Sequence, residues 1–75
     1  MARVSSISQE ALLIIEILKL IPRHRLITAS EIRNSLFSAG YDIPIRTLQR
    51  YLKSISETES LHVECDSRSK PYGYR

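Results

Sequence analysis

The chain has 75 residues, 43% of them hydrophobic and 25% charged, which suffices for one small folded domain with a single core. Its only cysteine, Cys65, excludes an intrachain disulfide and a cysteine-cluster zinc site, and is expected to be a small buried hydrophobe. The formal net charge is +3, and residues 23–53 carry six cationic and two acidic side chains, a local charge of +4. A basic segment of this kind favours a polyanionic partner.

The first predicted helix covers about residues 8–21, with Ser6 or Ser8 as its N-cap. Six apolar residues cluster on one side and predict its core face: Ala11, Ile14, Ile15, Ile17, Leu18 and Ile21. Three more fall on the polar side, beside Glu16: Leu12, Leu13 and Leu20. An exposed apolar strip often marks a partner surface, so we expect these leucines either to form a homodimer seam or to be covered by the N-terminal segment.

The same apolar stretch is too short and too charged to be a signal peptide or a membrane span. Glu16 and Lys19 interrupt it, and Pro22 ends it. We therefore expect a cytoplasmic protein with no membrane partner.

A very short strand at Leu26–Ile27 and a second helix at about residues 29–39 follow. Thr28 and Glu31 form a predicted capping box at the start of this helix, and Gly40 is suited to its left-handed C-terminal stop. The residues expected in the core are Ile32, Leu36 and Phe37.

A third helix is predicted at about residues 44–55, beginning at Pro44, where a missing N–H is harmless. Spacings of three, four and three define a buried face made of Ile45, Leu48, Leu52 and Ile55. The outward face carries side chains that can bond base edges, and the candidates for base contact are Arg46, Thr47, Gln49 and Arg50. Lys53, farther along the helix, is expected to contact phosphate.

The remaining residues predict a β-hairpin at about residues 61–75. Residues 61–65 alternate apolar and polar, residues 66–70 have turn chemistry, and residues 72–75 alternate again. The fold class is therefore mainly α with a small β-hairpin (α+β): a winged helix-turn-helix in one domain, residues 1–75. Further phosphate contacts are expected from the wing, from the start of helix 2 and from the loop before it: Arg68, Lys70, Thr28 and Arg25.

Two motifs resemble the N-terminal winged helix-turn-helix of bacterial WYL-domain transcriptional regulators. Arg46–Arg50 is similar to the arginine-threonine-apolar-glutamine-arginine run of the family's third helix, and residues 64–74 are similar to its acidic-cysteine-aspartate wing with a Tyr-Gly-aromatic end. Pro44 and Tyr51 depart from the pattern, in which serine and aspartate are common. The printed chain ends where such regulators continue into a sensory WYL domain, so we expect a small stand-alone regulator, bacterial or phage-borne, without a small-molecule ligand.

These patterns predict a sequence-specific double-stranded DNA-binding regulator, a repressor in preference to an activator. One protomer reads only a few base pairs, so we expect a homodimer on an inverted repeat. Two alternatives stay open: a winged-helix protein-interaction module that antagonises a larger regulator, and an architectural or excision factor. The sequence holds no nucleophile beside a base and no metal-ligand spacing, so we expect neither an enzyme nor a bound metal or cofactor.

Overall fold

The computed structural model describes residues 8–68 and 70–75. The elements in chain order are α1 (Gln9–Leu20), β1 (Ile27–Thr28), α2 (Ala29–Ser38), α3 (Ile45–Glu57), a 3-10 turn (Glu59–Leu61), β2 (Cys65–Asp66) and β3 (Gly73–Tyr74). This part of the chain is mainly helical, with three α-helices and a three-stranded antiparallel sheet in the order β1-β3-β2. None of its helices is long and apolar enough to cross a membrane.

All three helices supply side chains to one core. The largest fully buried side chains are Ile17 from α1, Ile32 and Leu36 from α2, and Leu48 and Leu52 from α3. Burying one such side chain stabilises the fold by roughly 1.5–3 kcal/mol. The sheet closes the core from one side, with Ile27 and Tyr74 both buried.

Helix α1 is rotated relative to the face that its sequence predicted. Leu13, expected on the outward strip, is buried together with Ile17, one turn further along, and Leu20 is half-buried against the core. Ile15, expected in the core, is instead 46% exposed, close to the 42% of Leu12. The side chain that accepts a hydrogen bond from the N–H of Ala11, at 3.1 Å, is that of Ser8.

Two alternatives for the N-terminus, the cap at Ser6 and the covering of the leucines by the N-terminal segment, lie outside the described residues.

The rotation of α1 has a simple cause. Apolar residues stand nearly all round this helix, so the hydrophobic pattern gives its orientation poorly.

The predicted hairpin is part of a larger sheet with shorter strands. The 3-10 turn includes Leu61, and His62 adopts a left-handed conformation with φ 56°, so extended backbone begins only after it. Glu64 then exchanges two backbone hydrogen bonds with Arg75, at 2.7 and 3.1 Å. Strand β3 also pairs with β1, because Ile27 stands opposite Tyr74. Strand β3 is therefore hydrogen-bonded to the strand that leads directly into α2.

Besides Ile15, two further residues expected in the core are exposed. Phe37 is 64% exposed because Leu36 takes the core position, and the next residue lies about 100° further round the helix. Cys65 is exposed because it stands on β2, at an edge of the sheet.

Candidate nucleic-acid interface

Helix α3 begins without a side-chain cap. Pro44 is its N-cap residue, not its first helical residue as predicted, and the Pro44 carbonyl accepts the first helical hydrogen bond from the N–H of Leu48 at 3.1 Å. The first turn contains no acidic residue but does contain Arg46. Within residues 8–68 and 70–75, no side chain caps the first backbone N–H groups of α3, and a cation stands beside them.

The turn before α3 is closed by backbone geometry at the end of α2. Gly40 has φ +99°, which confirms the predicted left-handed stop. The N–H of Tyr41 donates to the carbonyl of Leu36 at 2.8 Å, and that of Gly40 donates to Phe37 at 3.1 Å. These two bonds form a Schellman motif, which ends α2 and turns the chain toward α3.

The outward face of α3 carries most of the predicted base-contacting residues. Arg46, Arg50 and Lys53 are exposed and follow one another at spacings of four and three, so they share one side of the helix. Gln49 is also exposed and lies on the flank toward the sheet, while the half-buried Thr47 lies on the opposite flank. The structure therefore brings four of the five predicted α3 contacts to an open face and leaves Thr47 at its margin.

The flank beside Thr47 is joined to α1. The Tyr51 hydroxyl donates a hydrogen bond to the Glu10 carboxylate, with Oη and Oε2 3.0 Å apart. This hydrogen bond raises the pKa of Tyr51 above its ordinary value. Tyr51 thus connects α3 to the first turn of α1.

A groove of about 730 Å³ lies on the other flank, between α3 and the sheet. Gln49 and Lys53 line it from α3, Ser30 lines it from α2, and Lys70 and Tyr72 line it from the segment before β3. Two lysines, Lys53 and Lys70, thus face this groove from opposite walls. Glu57 is the one carboxylate among its described lining residues.

Arg68, predicted as a phosphate contact, is held by an acid of the same turn. Its Nη2 and Nε lie 2.7 and 3.0 Å from the two carboxylate oxygens of Asp66, and its backbone N–H also donates to Asp66 at 3.1 Å. These bonds lower the pKa of Asp66 to about 2. The guanidinium is exposed, but its charge is compensated, whereas Lys70 forms no ion pair with any residue of the described ranges.

The predicted contacts around α2 are less available. The Thr28 hydroxyl accepts from the N–H of Glu31 at 3.3 Å, and the Glu31 carboxylate accepts from the N–H of Thr28 at 2.9 Å, which confirms the capping box. That carboxylate occupies the position where a phosphate would bind the helix end. Arg25 lies in an exposed loop, and its Nη1 is 3.5 Å from the Leu26 carbonyl oxygen.

Three features of the structure were not predicted from the sequence. The i to i+2 spacing of Asp66 and Arg68 could have indicated their pairing. Arg33 donates from Nε to the carbonyl of Ile43 at 3.0 Å, a contact between residues ten apart for which the sequence carries no local signal. Ile15, together with Leu12, forms the exposed apolar strip of α1, and the strip is defined here by these two residues.

Comparison with known proteins found no related protein. No protein-family model matches the chain, and neither a curated protein nor a solved structure is significantly similar to it. Among the described residues, no group of three or more histidine, cysteine, aspartate or glutamate side chains could hold a metal ion.

Proposed function

We propose that this protein is a sequence-specific double-stranded DNA-binding transcriptional regulator with a winged helix-turn-helix fold. The observation that carries the proposal is the outward face of α3. There Arg46, Arg50 and Lys53 share one side, and the groove beside them adds Lys70. In this proposal α3 enters the major groove, and the turn between β2 and β3 lies against the neighbouring backbone.

The side chains on this face have the chemistry of direct base readout. Arginine pairs through two hydrogen bonds with guanine, and glutamine does so with adenine, so Arg46, Arg50 and Gln49 are the proposed reading residues. Thr47, at the margin, can contact a thymine methyl group. Each well-formed pair supplies roughly 1–3 kcal/mol of discrimination against the wrong base.

Phosphate binding is assigned to the groove. Lys53 faces it from α3 and Lys70 from the segment before β3, so a DNA strand lying between α3 and the sheet would meet a lysine on each side. Arg68 contributes less because Asp66 compensates its charge. Thr28 is occupied by Glu31, which leaves Arg25 as the remaining candidate near α2.

The motif resemblance supports the same assignment. Arg46–Arg50 and residues 64–74 stand on the two elements that border the groove, α3 and the sheet. On this resemblance we propose that the chain is a DNA-binding domain similar to those of WYL-type regulators, and that it acts as a cytoplasmic repressor.

We further propose that two copies bind an inverted repeat. One α3 helix covers only a few base pairs, so useful specificity requires a second. The apolar strip of Leu12 and Ile15 is the proposed contact between the copies, in place of the Leu12, Leu13 and Leu20 seam that the sequence suggested.

Selection of tight-binding duplexes from a random library, followed by affinity measurements, tests the proposal. We expect one enriched sequence, with Arg46→Ala and Arg50→Ala each weakening binding to it about 5- to 150-fold. Lys19→Ala, which removes an exposed cation on α1, is the matched control and should change little. Wild-type affinity should fall steeply as salt rises. Two arginine variants that bind with unchanged affinity and unchanged sequence preference would refute the assignment.

The second candidate function is a protein-interaction module. It is favoured by Phe37, an aromatic side chain that is 64% exposed on α2, in addition to the strip on α1. Copurification of a partner protein that Phe37→Ala abolishes, with no duplex retained at low salt, would favour this function over DNA binding.

A further inference from the structure

Arg33 is a cation of the basic segment that does not lie on the outward face of α3. It is half-buried on α2, and its Nε donates a hydrogen bond of 3.0 Å to the carbonyl oxygen of Ile43. Ile43 stands two residues before the first residue of α3, in the turn that joins the two helices. A donor on a charged guanidinium forms a stronger hydrogen bond than a neutral one, so this contact restrains the turn.

The rest of this turn has few restraints. The Schellman motif fixes the chain only as far as Tyr41, and Pro44 has no N–H to donate. The start of α3 has no side-chain cap either. Within the described residues, the bond from Arg33 is the one hydrogen bond that ties residues 42–44 to α2.

We infer that Arg33 is a positioning residue, which fixes the start of α3 and so the placement of Arg46 and Gln49 against base edges. This inference rests on the proposed function and deepens it. Arg33 contributes through the Ile43 carbonyl and makes no contact with DNA. One of the six cations in residues 23–53 thus has a role other than phosphate binding.

The chemistry of the side chain offers variants that separate positioning from phosphate binding. Glutamine carries its amide N–H the same number of bonds from Cα as the arginine Nε, so Arg33→Gln keeps the donor and removes the charge. Arg33→Lys keeps the charge but moves the donor one bond farther out. Arg33→Met keeps the apolar stem and removes both.

Affinity for the selected duplex is the first readout. We expect Arg33→Met to lose roughly tenfold, about the discrimination of one base pair, and to show a flattened preference at the positions that Arg46 and Gln49 read. Arg33→Gln should recover most of that loss. The slope of log affinity against log salt should be the same in both variants and the wild type, because no phosphate contact is removed.

Hydrogen exchange of the free protein is the second readout. The N–H of Leu48, which donates to Pro44 in the first bond of α3, should exchange faster in Arg33→Met than in Arg33→Gln. This measurement contains no DNA. If the wild type binds no duplex, the proposed function fails, but the exchange rate of the Leu48 N–H still shows whether Arg33 restrains the turn.

Two results would overturn the inference. One is the set of results expected if Arg33 binds a phosphate. Arg33→Lys would then retain affinity, and Arg33→Gln would lose as much affinity as Arg33→Met. The slope of log affinity against log salt would also fall by about one in Arg33→Gln and Arg33→Met. The other is an unchanged exchange rate at Leu48 in Arg33→Met. A thermal denaturation curve for each variant separates either result from simple unfolding.

Discussion

Helices α2 and α3 pack against each other in the same core but begin in opposite ways. At α2, the Thr28 hydroxyl accepts from the N–H of Glu31, and the Glu31 carboxylate accepts from the N–H of Thr28 and places a negative charge at the positive end of the helix. At α3, Pro44 supplies no side-chain acceptor, and Arg46 places a positive charge at that end. The second arrangement costs roughly 0.3–1 kcal/mol relative to a neutral residue.

The contrast shows that Thr28 and Glu31, at the start of α2, stabilise the fold, whereas Arg46, at the start of α3, does not. Both helices bury side chains in the core, but α2 also has a capping box, whereas α3 depends on the burial of Leu48, Leu52 and Ile55 and on the turn before it. A helix end that is uncapped and cationic attracts an anion such as a phosphate, and its donors can also bond the neutral acceptor edge of a base. This is the electrostatic basis of the proposed DNA-binding face.

The largest expected effect tests the dependence of α3 on packing. Leu52 is 0% exposed, so Leu52→Ala should lower the free energy of unfolding by about 2–5 kcal/mol through lost burial and a cavity. Urea denaturation followed by circular dichroism measures it. Lys53→Ala, at the exposed neighbour, should stay within about 0.5 kcal/mol of wild type. Equal losses in the two variants would mean that α3 is not held by its buried face.

The next effect tests the closed end of α2. Thr28→Ala removes the capping hydroxyl and should cost about 1 kcal/mol, measured in the same denaturation experiment. Thr28→Ser keeps a hydroxyl and should remain near wild type. A Thr28→Ala protein as stable as wild type would show that the capping box contributes nothing, and the contrast between the two helices would then disappear.

The uncapped start of α3 is tested by one substitution, Arg46→Gln, which should affect stability and DNA affinity in opposite directions. Arg46→Gln relieves the unfavourable charge, so the free energy of unfolding should stay constant or rise by about 0.3 kcal/mol. Affinity for the selected duplex should fall at the same time, by about 5- to 150-fold. Lys53→Gln, beyond the first turn, should give no gain in stability. A stability loss as large as that of Thr28→Ala would contradict this interpretation of Arg46.

The smallest effect concerns Arg68, whose charge is compensated by Asp66. Asp66→Asn should free Arg68, raise affinity for an unrelated duplex modestly and steepen the salt dependence by about one. Glu59→Gln, on the 3-10 turn, controls for the general gain of charge. A salt slope in Asp66→Asn no steeper than that of Glu59→Gln would show that Arg68 does not reach DNA.

The same ion pair has a pH dependence of known sign. The pKa of Asp66, about 2, lies below its ordinary value of 3.8. The pair's contribution to stability is therefore complete above pH 3.8 and is lost as the pH falls through about 2. An NMR titration of the carboxylate should show the pKa returning toward its ordinary value in Arg68→Ala. An unchanged pKa would mean that Arg68 is not its cause.

Features set by near neighbours in the chain could be predicted from the sequence. The box of Thr28 and Glu31 spans three residues, the Gly40 stop is a single-residue property, and the buried face of α3 follows from regular spacing in a mostly polar helix. The outward face opposite could be predicted for the same reason. DNA binding itself stays a prediction.

Features set by distant contacts could not be predicted. The orientation of α1 is decided by what packs against it, because Leu12 and Leu13 are equally apolar in the sequence and only Leu13 is buried. The pairing of β1 with β3 joins Ile27 to Tyr74 across most of the chain. The hydrogen bond from Arg33 to Ile43 joins residues ten apart, and no local motif specifies it.

The most direct test of the central claim is a backbone-amide NMR titration of the wild-type protein with the selected duplex. The proposed function predicts that the largest shifts fall on residues 46–53 and on residues 66–72 around the groove, with little change at Leu12 and Ile15 beyond the effect of dimerisation. The claim would be contradicted by shifts that avoid α3, or by a spectrum that DNA leaves unchanged at low salt.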